Sequence, residues 1–125
     1  MQRLLDIAKK LRDPEQGCPW DLQQDLNNFC KYLEEELLEL VDAVDRKDPK
    51  DISEELGDNL FTLAMAMQLA QEEYGIDFNS IVEAAARKIT RRHPHVFGNL
   101  KAKTIEDAEL FWTQAKAEEK LNDRK

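Results

Sequence analysis

Two acidic pairs, Glu36-x-x-Glu39 and Glu55-x-x-Asp58, are the residues of this chain best placed to do chemistry. A three-residue step sets both members of a pair on one helix face, about 5–6 Å apart at Cβ. In the first run Leu33, Leu37, Leu40, Val41 and Val44 form an apolar stripe, with Glu36 and Glu39 along one edge. In the second, Ile52, Leu56, Leu60, Leu63 and Met67 form the stripe, and Glu55 and Asp58 hold the corresponding edge. Packing through these stripes predicts four carboxylates converging at the seam. Four such groups cannot all stay ionised without a cation among them. Hard divalent ions prefer oxygen ligands, so magnesium is expected there, with manganese able to substitute. The expected metal ligands are Glu36, Glu39, Glu55 and Asp58.

A single acidic pair at helical spacing more often marks a solvated face. The distribution of charge argues for more than that. Residues 34–58 hold eleven acidic and three basic side chains, a local charge of −8, which equals the charge of the whole chain. The rest of the sequence balances, so the acidity belongs to one face or site.

The elements that must position these acids read as helices. Hydrophobic residues make up 42% and charged residues 35%, with only four Gly and four Pro, which suits an all-α globular domain over residues 1–125. Five helices are predicted. The first covers about residues 2–12 and ends at Asp13-Pro14-Glu15-Gln16-Gly17-Cys18-Pro19. The second runs from about 22 to 46. Asp48-Pro49 starts the third, which stops at Gly75. Asp77 or Asn79 caps the fourth, which ends before Pro94, and Thr104 caps the fifth. The third helix is apolar on nearly all faces from Leu60 to Ala70, with Phe61, Met65 and Leu69 as a second stripe. A helix apolar all round is buried all round, so this second stripe is expected to pack against another subunit in a homodimer, a higher oligomer also being open.

Composition excludes several classes. A net charge of −8 argues against nucleic-acid binding. No apolar run approaches membrane-spanning length, and Met1-Gln2-Arg3-Leu4-Leu5-Asp6 meets a charge too early for a targeting region. Cys18 and Cys30 lack metal-ligand spacing and are expected to be free thiols in the cytoplasm. No phosphate-binding glycine loop, dinucleotide turn or serine elbow is present. Di-iron bundles need Glu-x-x-His pairs, and positions 39 and 58 are acids.

Beyond the seam, Lys88 and Arg92 are four apart and share a helix face that could grip a polyanion, although basic residues in a last turn often only offset the helix dipole. His93 and His95 straddle Pro94 and read as a helix stop. Trp20 and Trp112, the latter one turn before Lys116, could stack on a flat ligand, though core packing is the commoner fate of Trp. Asn59, beside Asp58, either bonds the carboxylates or reads a ligand edge.

Together these residues resemble a known family. Glu35-Glu36-x-x-Glu39, fifteen intervening residues and Glu55-x-x-Asp58 resemble the signature of the MazG-type nucleoside triphosphate pyrophosphohydrolases. Gly17-Cys18-Pro19-Trp20-Asp21 and Arg91-Arg92-His93-Pro94-His95-Val96-Phe97 look like two further blocks of that family, in the right order. The resemblance spans roughly residues 4–98, and Trp112 to Glu119 continues it more weakly. It implies an all-α, oligomeric, magnesium-dependent enzyme that converts a nucleoside triphosphate to the monophosphate and pyrophosphate, serving nucleotide-pool housecleaning. It also implies Glu36, Glu39, Glu55 and Asp58 as metal ligands, Lys88 and Arg92 as phosphate contacts, and Trp112 as a base contact. Glu35, rotated off the ligand face, is a candidate for a base or supporting role. The competing reading is a non-catalytic helical module that binds a nucleotide or a partner without turnover.

Overall fold

Proline, glycine and short acidic side chains place the helix boundaries. In the computed structural model, which describes residues 1–123, the chain forms seven helices, five of them substantial. They are α1 (Gln2–Leu11), α2 (Pro19–Leu22), α3 (Leu26–Arg46), α4 (Pro49–Tyr74), α5 (Phe78–Arg91), α6 (Pro94–Phe97) and α7 (Ile105–Asp123). The two short helices are additions to the five expected, each beginning at a proline that suits a first helical position. The second expected helix starts later than the apolar pattern suggested. Asp25 caps α3 at Leu26, accepting from Asn28 N–H at 2.7 Å, while the Asn28 side chain accepts from Asp25 N–H. Asp48 caps α4 ahead of Pro49, and Gly75 ends it at φ 68°, a left-handed conformation that glycine adopts without strain. Thr104 caps α7 by accepting from Asp107 N–H at 3.1 Å. No helix of the described residues is long and apolar enough to cross a membrane.

The described chain divides into two compact units, residues 1–78 and the remainder. In the first, α4 is the central element, with α3 packed along it and α1 also against it. The core gathers Ala8 of α1, Phe29 of α3, and Met65 and Leu69 of α4, with Leu11, Leu26, Tyr32, Leu33 and Phe61 around them. Met65 and Leu69 are fully buried, each contributing about 1.5–3 kcal/mol through burial.

That core corrects the expected use of α4. The stripe of Phe61, Met65 and Leu69 packs within this unit against α1 and α3, not against another subunit. Most of the leucines and valines assigned to the α3–α4 seam are left open, Leu33 and Leu40 being the exceptions. Leu37, Val41 and Val44 of α3 and Leu56, Leu60 and Leu63 of α4 are each about half exposed. Between residues 34 and 46 only Glu36, Leu40 and Ala43 are withdrawn from solvent, and opposite them stand Ile52, Glu55 and Asn59. Relative to the expected stripe, α3 is turned so that Glu36 joins Leu40 and Ala43 on the inward face while Leu37, Val41 and Val44 turn outward.

Arg12 holds the first unit together at the end of α1. Its guanidinium donates to the carbonyls of Asp21 at 2.6 Å and Gln24 at 3.1 Å, and pairs with Glu72 of α4 at 2.8 Å. The pairing lowers the Glu72 carboxyl below its ordinary range, the hydrogen bond from Arg12 being the main cause. Gly17 completes the loop, because a Cβ there would overlap the carbonyl oxygens of Leu11 and Asp13. Together they fix α2, the helix that carries Trp20 and Asp21. Arg12→Ala is expected to destabilise the fold by about 3 kcal/mol, since two carbonyls and a carboxylate lose a charged donor together. A chemical-denaturation midpoint within error of the parent protein would count against this role.

In the second unit α6 packs on α7. Arg92 pairs with Glu119 at 2.9 Å and lies over the Trp112 ring at 4.9 Å, while Arg91 also reaches Glu119 at 2.8 Å. The two guanidiniums, Arg92 foremost, pull the Glu119 carboxyl down to about 2. His93 meets Trp112 edge-on at 5.3 Å and bonds the Ile89 carbonyl through Nδ1, consistent with a helix stop.

Candidate active site

The three-residue spacing places Glu36 and Glu39 on one face of α3, and the rotation described above turns that face toward α4. Carboxylate oxygens of Glu36, Glu39 and Glu55 all lie within 4.8 Å of one another. Asp58 stands outside that trio, yet its charge helps to raise both Glu36 and Glu55, and it lines a cavity with Glu36. Glu35 is exposed and is not among the clustered carboxylates.

Asn59 sets the register of this cluster. Its side-chain amide donates to the carbonyl of Glu36 at 2.9 Å and to the carbonyl of Glu55 at 2.7 Å. One amide therefore ties together the main chain beneath two of the acids. Both of its hydrogens are spent on the scaffold, so the contact sequence reasoning sought in the carboxylates lies in the backbone below them.

The electrostatics of the seam are those of an acid cluster short of cations. Burial is the first cause raising the Glu36 carboxyl above its ordinary 4.5, followed by the charges of Glu39, Asp58 and Glu55. Glu55 is raised in the same way, by desolvation first and then by Glu39 and Asp58. Oε2 of Glu36 and Oε2 of Glu55 are buried and have no hydrogen-bond partner. An unpaired buried carboxylate oxygen is costly, and two of them facing a third acid form a donor set suited to a hard divalent cation. The residues present fit such an ion.

A pH dependence follows. Groups whose folded pKa is raised contribute stability that is fully present below 4.5 and lost as pH climbs through the raised values. A divalent cation displaces those protons, so the rise in melting temperature on adding magnesium is expected to be absent below pH 4.5 and to grow as pH increases. Calorimetric scans between about pH 4 and 8, with and without magnesium, measure this. A magnesium effect that is flat across the range would remove these carboxyls from the binding reaction.

Beside the acids lies a cavity of about 250 Å³ lined by Trp20, Asp21, Phe29, Tyr32, Phe61 and Thr62, with Glu36 and Asp58 completing its wall. Trp20 meets Tyr32 edge-on at 5.1 Å. The structure thus brings together Trp20, Glu36, Glu39, Glu55, Asp58 and Asn59 of the expected residues. Lys88, Arg92, Trp112 and Lys116 belong to the second unit. There Lys88 lines a cavity with Arg91 and Glu119, and Trp112 and Lys116 line another of about 350 Å³. Arg92 is already paired to an acid, which the spacing of basic residues alone did not reveal. Arg12 and Asp21 escaped sequence reasoning. Asp21 stands in the block from Gly17 to Asp21, where attention fell on the tryptophan.

The all-α fold described above has a counterpart among known structures, and the sequence matches a known family. The family model for the MazG nucleotide pyrophosphohydrolase domain matches residues 24–97, more than half of the sequence. This chain belongs to that family. It is 45% identical over 120 residues to a nucleoside triphosphate pyrophosphohydrolase of Escherichia coli, covering 96% of this chain and 46% of that protein. It is 37% identical over 119 residues to the nucleoside triphosphate pyrophosphohydrolase/pyrophosphatase MazG of Thermotoga maritima, covering 95% of this chain and 45% of the relative. The chain therefore spans about half the length of these curated relatives. A crystal structure of a mazG-related protein from Thermotoga maritima superposes with a TM-score of 0.80 at 32% identity, over 94% of this chain and 99% of that one.

Proposed function

We propose that this chain is a nucleoside triphosphate pyrophosphohydrolase that uses a divalent cation, with magnesium as the working ion and manganese as a substitute, and that it serves nucleotide-pool housecleaning in the cytoplasm. The observation that carries the reading is the pair of buried, unpartnered oxygens on Glu36 and Glu55, set against Glu39. Glu36, Glu39 and Glu55, with Asp58 at their margin, would hold the ion. The chemistry such an ion supplies is neutralisation of phosphate oxygens and acidification of an attacking water.

The chain's own residues do the rest. Asn59 keeps Glu36 and Glu55 at fixed separation, so little reorganisation is needed when substrate arrives. Enclosure of Oε2 in both Glu36 and Glu55 keeps water from one oxygen of each carboxylate. Trp20 and Tyr32 offer aromatic surface to a base beside the acids. Lys88 and Arg92 as phosphate contacts, Trp112 and Lys116 as substrate contacts, and Glu35 as a supporting acid are carried as part of the same reading.

The reading includes a homodimer, now on a different face. α3 leaves Leu37, Val41 and Val44 half exposed and α4 leaves Leu56, Leu60 and Leu63, and apolar surface of that kind marks an interaction site. Light scattering of the full chain checks it.

The deciding experiment measures pyrophosphate released from the common ribo- and deoxyribonucleoside triphosphates as magnesium is titrated. Stoichiometric pyrophosphate and monophosphate that depend on magnesium are expected. Nucleotide binding without release would leave the chain a binding module.

A further inference from the structure

The aromatic cavity contains a charged group that the proposed chemistry does not use. Asp21 is 8% exposed, lines the cavity with Trp20, Phe29 and Tyr32, and receives no hydrogen bond on its carboxylate from any described residue. The local alternatives are accounted for. Arg12 feels the charge of Asp21, but its donated bonds go to the carbonyls of Asp21 and Gln24 and to Glu72. Asp21 does not cap its own short helix either, because the Cys18 N–H is taken by the Leu11 carbonyl at 2.9 Å. Unlike Oε2 of Glu36 and Glu55, the Asp21 carboxylate is not fully enclosed, so it keeps an approach from solvent where a donor on a ligand in the cavity would replace water.

The cavity says what kind of donor. Its lining combines the rings of Trp20, Phe29, Tyr32 and Phe61 with the carboxylates of Asp21, Glu36 and Asp58. A volume of about 250 Å³ is near the lower bound of small-molecule pockets, roughly 300–1,000 Å³, and suits one flat ring system better than a whole nucleotide. Aromatic walls sandwich a base, and polar groups at the rim read its edge. On the proposed function, Glu36 and Asp58 belong with the phosphates and the aromatic rings receive the base.

We propose that Asp21 reads the base, accepting a hydrogen bond from an exocyclic amino group, so that the pocket selects amino-bearing bases over uracil and thymine. An ionised carboxylate has acceptors only. The 4-amino group of cytosine and the 6-amino group of adenine are donors, whereas uracil and thymine present a carbonyl at the same place. Setting that carbonyl against Asp21 brings two acceptors together in a desolvated site. The N3–H of uracil gives no escape, because it lies between two carbonyls. Discrimination by an unmet buried polar group is far larger than discrimination by size. This proposal rests on the reading of the chain as a nucleotide enzyme, but it concerns binding and can fail separately.

The test titrates CMP and UMP into the full chain by calorimetry without added metal. CMP is expected to bind at least about tenfold more tightly. Asp21→Asn, nearly isosteric, supplies a donor that can meet the uracil carbonyl, so the CMP-to-UMP ratio should fall toward unity. Trp20→Ala should weaken both ligands alike, because stacking is tolerant of base identity. A pyrimidin-2-one nucleotide, which lacks the 4-amino group, should lose the advantage of CMP in the unaltered protein, and this comparison decides the matter if Asp21→Asn does not fold. Equal binding of CMP and UMP, no binding of either, or an unchanged ratio in a folded Asp21→Asn protein overturns the proposal. Absence of pyrophosphate release alongside clear CMP selectivity would instead overturn the enzymatic reading and leave this one standing.

Discussion

Asn59→Asp is expected to cost about 3–5 kcal/mol of folding stability and to abolish magnesium-dependent turnover together with it. The substitution barely changes shape. It replaces an amide that donates to the carbonyls of Glu36 and Glu55 with a carboxylate that donates to neither. Two mid-helix carbonyls lose the donor that links them, and another negative charge enters a seam where Glu36 and Glu55 are already held above their ordinary range. Against a typical total of about 5–15 kcal/mol, a loss of that size leaves a marginal fold. Urea denaturation would show the midpoint falling with an unchanged slope. A midpoint like that of the parent protein would mean that the pairing of α3 with α4 does not depend on this amide.

Glu39→Gln should separate function from folding in the opposite direction. The Glu39 side chain contacts both Glu36 and Glu55 and contributes to raising each of them. An amide there removes one charge from the cluster and offers hydrogens to carboxylates that now lack donors. The melting temperature without metal should rise. Losing a ligand should cost at least about 100-fold in magnesium affinity or turnover, more than the loss of a supporting contact does. Near-normal turnover at limiting magnesium would exclude Glu39 from the ion's ligands.

How much of this was legible beforehand depended on whether a feature was local. The caps at Asp48, Gly75 and Thr104 are decided within a few residues, and the chain shows them directly. The acid pairs were legible because a three-residue step survives any rotation of the helix. The rotation itself was not. Both helices carry apolar residues on more than one side, and the side that turns inward is chosen by α1, whose Ala8 closes over Met65 and Leu69. Leucines at 37, 56 and 60 look like core in a pattern, yet they are about half exposed. The partners of Arg12 and Arg92 lie 60 and 27 residues away, so no local reading could find them. Asp21 was hidden differently. Within its motif Trp20 is the more conspicuous residue, and only the burial of Asp21 with no donor from the described residues marks it out.

The grip of Asn59 on the main chain at positions 36 and 55 bears on how such a site can change over generations. Because the amide holds carbonyls and not carboxylates, the frame does not depend on which side chains those positions carry. A single substitution at either acid would alter or end the proposed ion binding while the helices stay paired. Lineages can therefore explore other chemistries at this seam through folded intermediates, one residue at a time. The same freedom does not extend to position 59, where drift would cost the frame itself.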